Sequence, residues 1–165
     1  MVTNGRWMHA SLMIALIAAG AGSASAQTLP SSASRPAAVA KRTAAALVTL
    51  HVDQNDAAVM HLALNNAQNI ISHYKALARP VKIEIVTYGP GLNMLRSDKS
   101  PVKARIESMA LEQPGVTFIA CGNTRDNMAK AESAPVPLMS EAKVVPSGVI
   151  RLIELQNQGY AYIKP

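Results

Sequence analysis

Aromatic residues make up only 4% of this 165-residue sequence, cysteine occurs once, and no long apolar run follows the first 26 residues. Each scarcity excludes something. Few aromatics, with lysines and arginines scattered from Lys41 to Lys164 and never massed in a block, argue against a nucleic-acid surface, which interleaves stacking rings with clustered cations. A single cysteine excludes an internal disulfide framework and leaves a thiol that is buried, functional or paired between chains. Without a later apolar run of spanning length, no membrane helix is expected once a leader is removed. Gly89-Pro90-Gly91 lacks the third glycine and the helix spacing of a dinucleotide fingerprint. No serine has a nucleophile elbow around it, so a Ser-His-Asp hydrolase has no motif to stand on. His51, His61 and His73 raise a metal site as a weak reading, because His61 and His73 are twelve residues apart, off the i,i+4 spacing that sets two imidazoles on one helix face. No cofactor is expected.

What is present begins with a leader. Arg6 supplies one positive charge, Ala10 to Gly22 is apolar but too short to span a bilayer, and Ala24-Ser25-Ala26 gives a small-x-small cleavage pattern. Residues 1–26 are therefore expected to be a cleavable signal peptide, cut after Ala26, with a periplasmic or secreted product. The formal charge of +6, less that of Arg6, leaves a moderately basic +5. Residues 27–43 are rich in Ser, Ala and Pro and read as a flexible linker. Residues 44–165 suit one domain with a sizeable core.

Along that domain, strand patterns alternate with helix patterns. Ala45 to Val52 reads as a buried strand, and Asp53 to Asp56 offer N-caps for a long helix. That helix carries Val59, Ala63, Ala67, Ile70, Tyr74 and Leu77 at spacings of three and four, widened by Met60, Leu64 and Ile71. Val81 to Tyr88 is a second strand. Leu92 to Arg96 suits a helical turn, and Ser100-Pro101 opens a helix with Val102, Ile106, Met109 and Ala110 inward. Gly115 to Cys121 is a third strand, and Asn123 to Glu132 a short helix with Met128 and Ala129 inward. Glu141 to Val145 is a fourth strand. Pro146-Ser147-Gly148 starts a last helix whose inward-facing apolar residues are Val149, Ile150, Ile153 and Leu155, and Tyr160 to Lys164 closes the chain as a strand. The pattern predicts an α/β fold: a three-layer α/β/α domain with a mostly parallel sheet of about five strands and helices on both faces. It does not give the strand order.

Cys121 is the residue around which the chemistry gathers. It stands where a strand buried on both faces gives way to a helix start, the place where open α/β sheets hold ligands. Peptide N–H groups at Asn123 and Thr124, with Arg125 nearby, would favour its thiolate. The glycines Gly89 and Gly91 let backbone approach a ligand, so Gly89, Gly91, Asn123 and Thr124 are the expected binding residues around Cys121. A thiolate there, without a second cysteine, suits attack on sulfane sulfur and storage as a persulfide. The alternative is a small cysteine packed in the core.

Three stretches carry a family likeness. Tyr88-Gly89-Pro90-Gly91-Leu92, then Phe118-Ile119-Ala120-Cys121-Gly122-Asn123-Thr124, then Val144 to Val149 running on through Gly159 to Pro165 resemble the DsrE/DsrF-like family, in the same order and spacing from about Ala45 to the end. The resemblance implies a three-layer α/β/α domain that assembles into trimers or hexamers, in which a single cysteine at the position of Cys121 carries sulfur in a relay between a donor and an acceptor protein. The relay members act in the cytoplasm, whereas this sequence opens with an export signal. Two readings follow: a periplasmic, sulfurtransferase-like sulfur carrier acting through Cys121, and a non-catalytic oligomeric binding module in which Cys121 is structural. A metal-binding exported protein stands third.

Overall fold

A computed structural model describes residues 44–165; the expected signal peptide at 1–26 and linker at 27–43 lie outside the described residues. The elements are β1 (Ala46–Val52), α1 (Ala57–Ala76), β2 (Val81–Thr87), a 3-10 helix (Gly89–Leu95), α2 (Lys103–Glu112), β3 (Val116–Cys121), α3 (Gly122–Glu132), β4 (Ala142–Val145), α4 (Gly148–Asn157) and β5 (Ala161–Ile163). The five strands form one sheet in the order β4-β3-β2-β1-β5, and every pairing is parallel. The sheet is the expected one, with the mixed character resolved to wholly parallel.

Handedness explains how the layers are distributed. From β1 to β4 the chain steps across the sheet in one direction, so right-handed crossovers place α1, α2 and α3 on one face. From β4 to β5 it steps back across the whole sheet, and the same rule sends α4 to the other face. The packing agrees. Met60, Leu64, Ile71, Ile106 and Met109 of α1 and α2, with Met128 of α3 at the margin, meet Val48, Leu50, Ile83, Ile85 and Phe118 on the first face. Leu152 and Leu155 of α4 meet Val86 and Ile119 on the second.

Asp56 starts α1 as expected, its carboxylate accepting from Ala58 N–H at 2.7 Å. The buried stripe of α1 is Met60, Ala63, Leu64, Ala67 and Ile71, so residues treated as widening the stripe form its centre, and Leu77 at its end is 60% exposed. Each large apolar side chain in that stripe contributes about 1.5–3 kcal/mol on full burial. The last helix departs from expectation more. Only Leu155 of the four residues read as inward is buried, joined by Leu152, while Val149, Ile150 and Ile153 stay about half exposed, at 50%, 51% and 50%. The helix turns its 152/155 edge to the sheet and leaves a second apolar edge outside. Among the described residues no helix is long and apolar enough to cross a membrane.

A buried cation ties the loops of the first face together. Arg96 is fully buried; its Nε and Nη2 donate to Asp98 at 2.9 and 2.8 Å, and Nη1 and Nη2 to Glu132 at 2.6 and 2.9 Å. Lys99 adds a bond to Glu132 at 3.0 Å. The end of the 3-10 helix is thereby fastened to the end of α3.

Candidate functional site

Neighbouring strands whose following helices leave to opposite faces open a crevice at their carboxyl ends. Here those strands are β3 and β4: α3 leaves β3 toward the first face, and α4 leaves β4 toward the second. Cys121 is the last residue of β3, directly opposite Val145, the last of β4. The one thiol of the sequence therefore stands at the switch point of the sheet.

Cys121 is also the N-cap of α3, with extended backbone at φ −74° and ψ 116°. Its side chain points to the second face, toward the start of α4. The residue is 4% exposed, and this burial opposes ionisation of the thiol. Against it act the Thr124 hydroxyl and the backbone N–H groups of Gly148, Thr124 and Asn123, and the balance leaves the thiol pKa below its ordinary value. None of these closes into a full helix-capping hydrogen bond; they act as dipoles converging on one sulfur atom. Arg125, expected to help, pairs instead with Asp126 at 3.3 Å and is not among the groups that lower the pKa.

The Thr124 hydroxyl is oriented from behind. Gly89 N–H donates to Thr124 Oγ1 at 3.0 Å, which occupies the oxygen and leaves its proton free for the sulfur. Gly89 adopts a left-handed φ of 52°, so the turn that aims this N–H suits glycine. Of the expected binding residues, Gly89, Asn123 and Thr124 are thus brought to Cys121. Gly91 has a different role: a Cβ there would overlap the Val52 carbonyl, so its missing side chain lets the 3-10 helix cross the end of β1.

Gly148 is the close neighbour that sequence reading did not single out. A Cβ at Gly148 would lie 3.2 Å from Cys121 Cβ and 3.1 Å from Tyr88 Cβ. Glycine lets α4 begin with its N–H near the sulfur without crowding either neighbour. Tyr88 forms the other wall. It follows Thr87, which pairs with Ala120, so Tyr88 and Cys121 are lateral neighbours on the same face. Burial raises the Tyr88 pKa, with Asp53, Tyr162 and the Cys121 charge acting in the same sense, so its phenol remains a neutral donor.

Behind Tyr88 lies a second polar group. The His51 ring stacks on Tyr88 with centroids 4.6 Å apart and planes at 23°. His51 Nδ1 meets the Tyr162 hydroxyl at 2.7 Å, and His51 Nε2 lies 3.8 Å from Asp53 Oδ2. Lys164 Nζ donates to the same Asp53 oxygen at 2.7 Å. Burial lowers the His51 pKa, opposed by Asp53 and assisted by Lys164, so the ring is neutral at pH 7. A carboxylate beside Nε2 favours the tautomer with the proton there, and Tyr162 then donates to Nδ1. The hydrogen bond from Lys164 is the main cause that holds Asp53 ionised. In the sequence His51 falls near the end of the first strand and Asp53 just past it; their approach to Tyr88 depends on strand register, which periodicity does not give.

The other histidines lie elsewhere. His61 Nδ1 faces Arg105 Nη1 at 2.9 Å across α1 and α2, and His73 packs edge-on against Tyr74. Among the described residues no three potential metal ligands come together.

Comparison with known proteins adds the following. The model of the DsrE/DsrF-like family matches residues 13–165. Among solved structures, the protein of unknown function MTH1491 from Methanobacterium thermoautotrophicum is 32% identical, with a TM-score of 0.61, over 72% of this chain and 97% of its own. No curated protein matches.

Proposed function

The chain belongs to the DsrE/DsrF-like family, and from that premise we propose that it is a sulfur carrier in which Cys121 accepts sulfane sulfur as a persulfide and hands it on. Membership supports a sulfur-relay type of function in general; the step at Cys121 is the finer reading. The observation that carries it is the convergence of the Thr124 hydroxyl and the Gly148, Thr124 and Asn123 N–H groups on a single sulfur whose pKa they lower despite burial. A core cysteine has no use for such surroundings. In the step, the thiolate attacks the outer sulfur of the donor, a new S–S bond forms, and the donor's own S–S bond breaks with its electron pair leaving on the donor thiolate. An acceptor thiolate reverses the exchange and restores Cys121. No redox partner is needed.

Mass spectrometry of the intact chain after polysulfide treatment tests this. A gain of sulfur in the wild type that is absent in Cys121→Ser supports the carrier. No gain in either removes it. The burial of Cys121 favours the competing reading, an oligomeric binding module with a structural cysteine. In that case the thiol ignores alkylating reagents until the protein is denatured.

Two companions complete the reading. Residues 1–26 support export to the periplasm or beyond, with a mature N-terminus at Gln27. The half-exposed Val149, Ile150 and Ile153 on α4 support a homo-oligomer, a trimer or hexamer, with a second copy of this chain as the occupant of that edge.

A further inference from the structure

The register sets Cys121, Tyr88 and Asp53 side by side on one face, at the carboxyl ends of β3, β2 and β1. Lys164, one residue past β5, reaches into the same row through its bond to Asp53. Two atoms in this row lack hydrogen-bond partners among the described residues although water does not reach them: His51 Nε2 and Asp53 Oδ1. His51 is buried, with only 5% of its side chain exposed. A buried donor and a buried acceptor left unmatched side by side each carry a desolvation cost, and they mark a place built for something that supplies both. Lys164, bonded to Asp53 Oδ2, reaches this place from the solvent side, its side chain 45% exposed.

We propose that this row is a subsite for the amino-acid head of a low-molecular-weight persulfide, a cysteine-sized zwitterion whose ammonium binds Asp53 and whose carboxylate binds Lys164 and the His51 Nε2–H. This rests on the reading of Cys121 as a sulfur acceptor and names its donor class. An α-amino acid presents ammonium and carboxylate on one carbon, matching an acid and two donors that lie together. Inorganic polysulfide and thiosulfate offer nothing to Asp53. Length also selects. Two strand spacings separate Asp53 from Cys121, about 10 Å. A hydrogen bond of about 2.8 Å at one end and a reactive approach of about 3.5 Å at the other leave roughly 4 Å for the donor. That is the reach from an α-amino nitrogen to a persulfide on the β-carbon; a tripeptide thiol held by its remote amino end overshoots. Tyr88, stacked on His51, stands between Asp53 and Cys121 in the register. In the transfer, Cys121 thiolate attacks the outer sulfur of R–S–SH, the S–S bond of the donor breaks, and the departing R–S⁻ takes up the persulfide proton. Cys121 persulfide anion and R–SH result, with charge and atoms conserved.

S-methyl-L-cysteine, which has the head but no sulfur to give, is the probe. Titrated calorimetrically into the full chain, it is expected to bind the wild type and Cys121→Ser alike. Binding weakens about tenfold or more in Asp53→Asn and in Lys164→Met, as the loss of a charge-assisted hydrogen bond requires. Failure of the wild type to bind, or wild-type affinity retained in either variant, overturns the subsite. The two readings separate cleanly. If Cys121 takes sulfur from inorganic polysulfide while S-methyl-L-cysteine does not bind, the subsite is wrong and the carrier stands. If S-methyl-L-cysteine binds through Asp53 and Lys164 while no donor loads Cys121, the subsite stands and the carrier falls.

Discussion

The hydroxyl of Thr124 faces the sulfur of Cys121 with its oxygen already engaged by Gly89 N–H at 3.0 Å. Such an engaged hydroxyl can give its proton only forward. Thr124→Val keeps shape and removes that donor, so the thiol pKa should rise toward its ordinary value and alkylation at neutral pH should slow, by about tenfold for each full pKa unit regained. The pH profile of iodoacetamide modification measures it, and an unchanged profile in Thr124→Val removes Thr124 from the site.

Gly91 and Gly148 separate packing from chemistry. In Gly91→Ala the new Cβ meets the Val52 carbonyl, a rigid neighbour, and the fold should lose about 3 kcal/mol or more. In Gly148→Ala the new methyl presses on the Cβ atoms of Cys121 and Tyr88, and the principal loss should be thiol reactivity, with a smaller loss of stability. Urea denaturation and thiol labelling on both variants give the comparison.

Acid should loosen the clamp at Arg96. The hydrogen bond from Arg96, then that from Lys99, pulls the Glu132 pKa from 4.5 to about 2, and Arg96 likewise lowers Asp98. Carboxylates with depressed native pKa values stabilise the fold fully above their ordinary pKa and lose that contribution as pH falls toward the native one. Stability should therefore decline from about pH 4.5 toward about pH 2. Arg96→Met should be less stable at neutral pH and show a shallower decline in that window, as read from denaturation midpoints.

His51 acts at a higher pH. Its native pKa lies below the ordinary value of 6.5, chiefly through burial. The unfolded chain thus takes up this proton first, and the contribution of His51 is complete above that value and lost as pH drops below it. The denaturation midpoint should fall as pH drops through 6.5 in the wild type, and by less in His51→Phe.

The outer edge of α4 bears on assembly. Ile153→Glu places a charge on an apolar edge that makes no contribution to the core of its own domain. Light scattering should show the wild type as a trimer or hexamer and the variant as a smaller species, with the monomer fold unchanged by circular dichroism. Equal masses would remove this edge as the interface.

Much of this architecture can be read from residues alone, because the strands are β-rich apolar runs bounded by turn residues and the longest helix carries a clear cap. Val116 to Cys121 and Asp56 illustrate both. What periodicity leaves out is adjacency. Nothing local says that β4 lies beside β3, so Gly148 gives no sign that it touches Cys121, and Lys164 none that it reaches Asp53 across 111 positions. Where a helix has two apolar edges, as α4 does, its pattern does not decide which one meets the sheet. Glycines are ambiguous for a related reason: Gly91 makes room for a strand end and Gly89 aims an amide, yet both sit in one short motif. Arg96 looks like any surface cation until Asp98 and Glu132 are seen on either side of it.

The crossing of α4 to the second face has a consequence for biosynthesis. Cys121 leaves the ribosome well before Gly148, and β5, which brings Tyr162 to His51, comes later still. A nascent chain therefore has Asn123 and Thr124 beside its thiol but not yet the Gly148 N–H, and the set of groups that lowers the thiol pKa is complete only when α4 has docked.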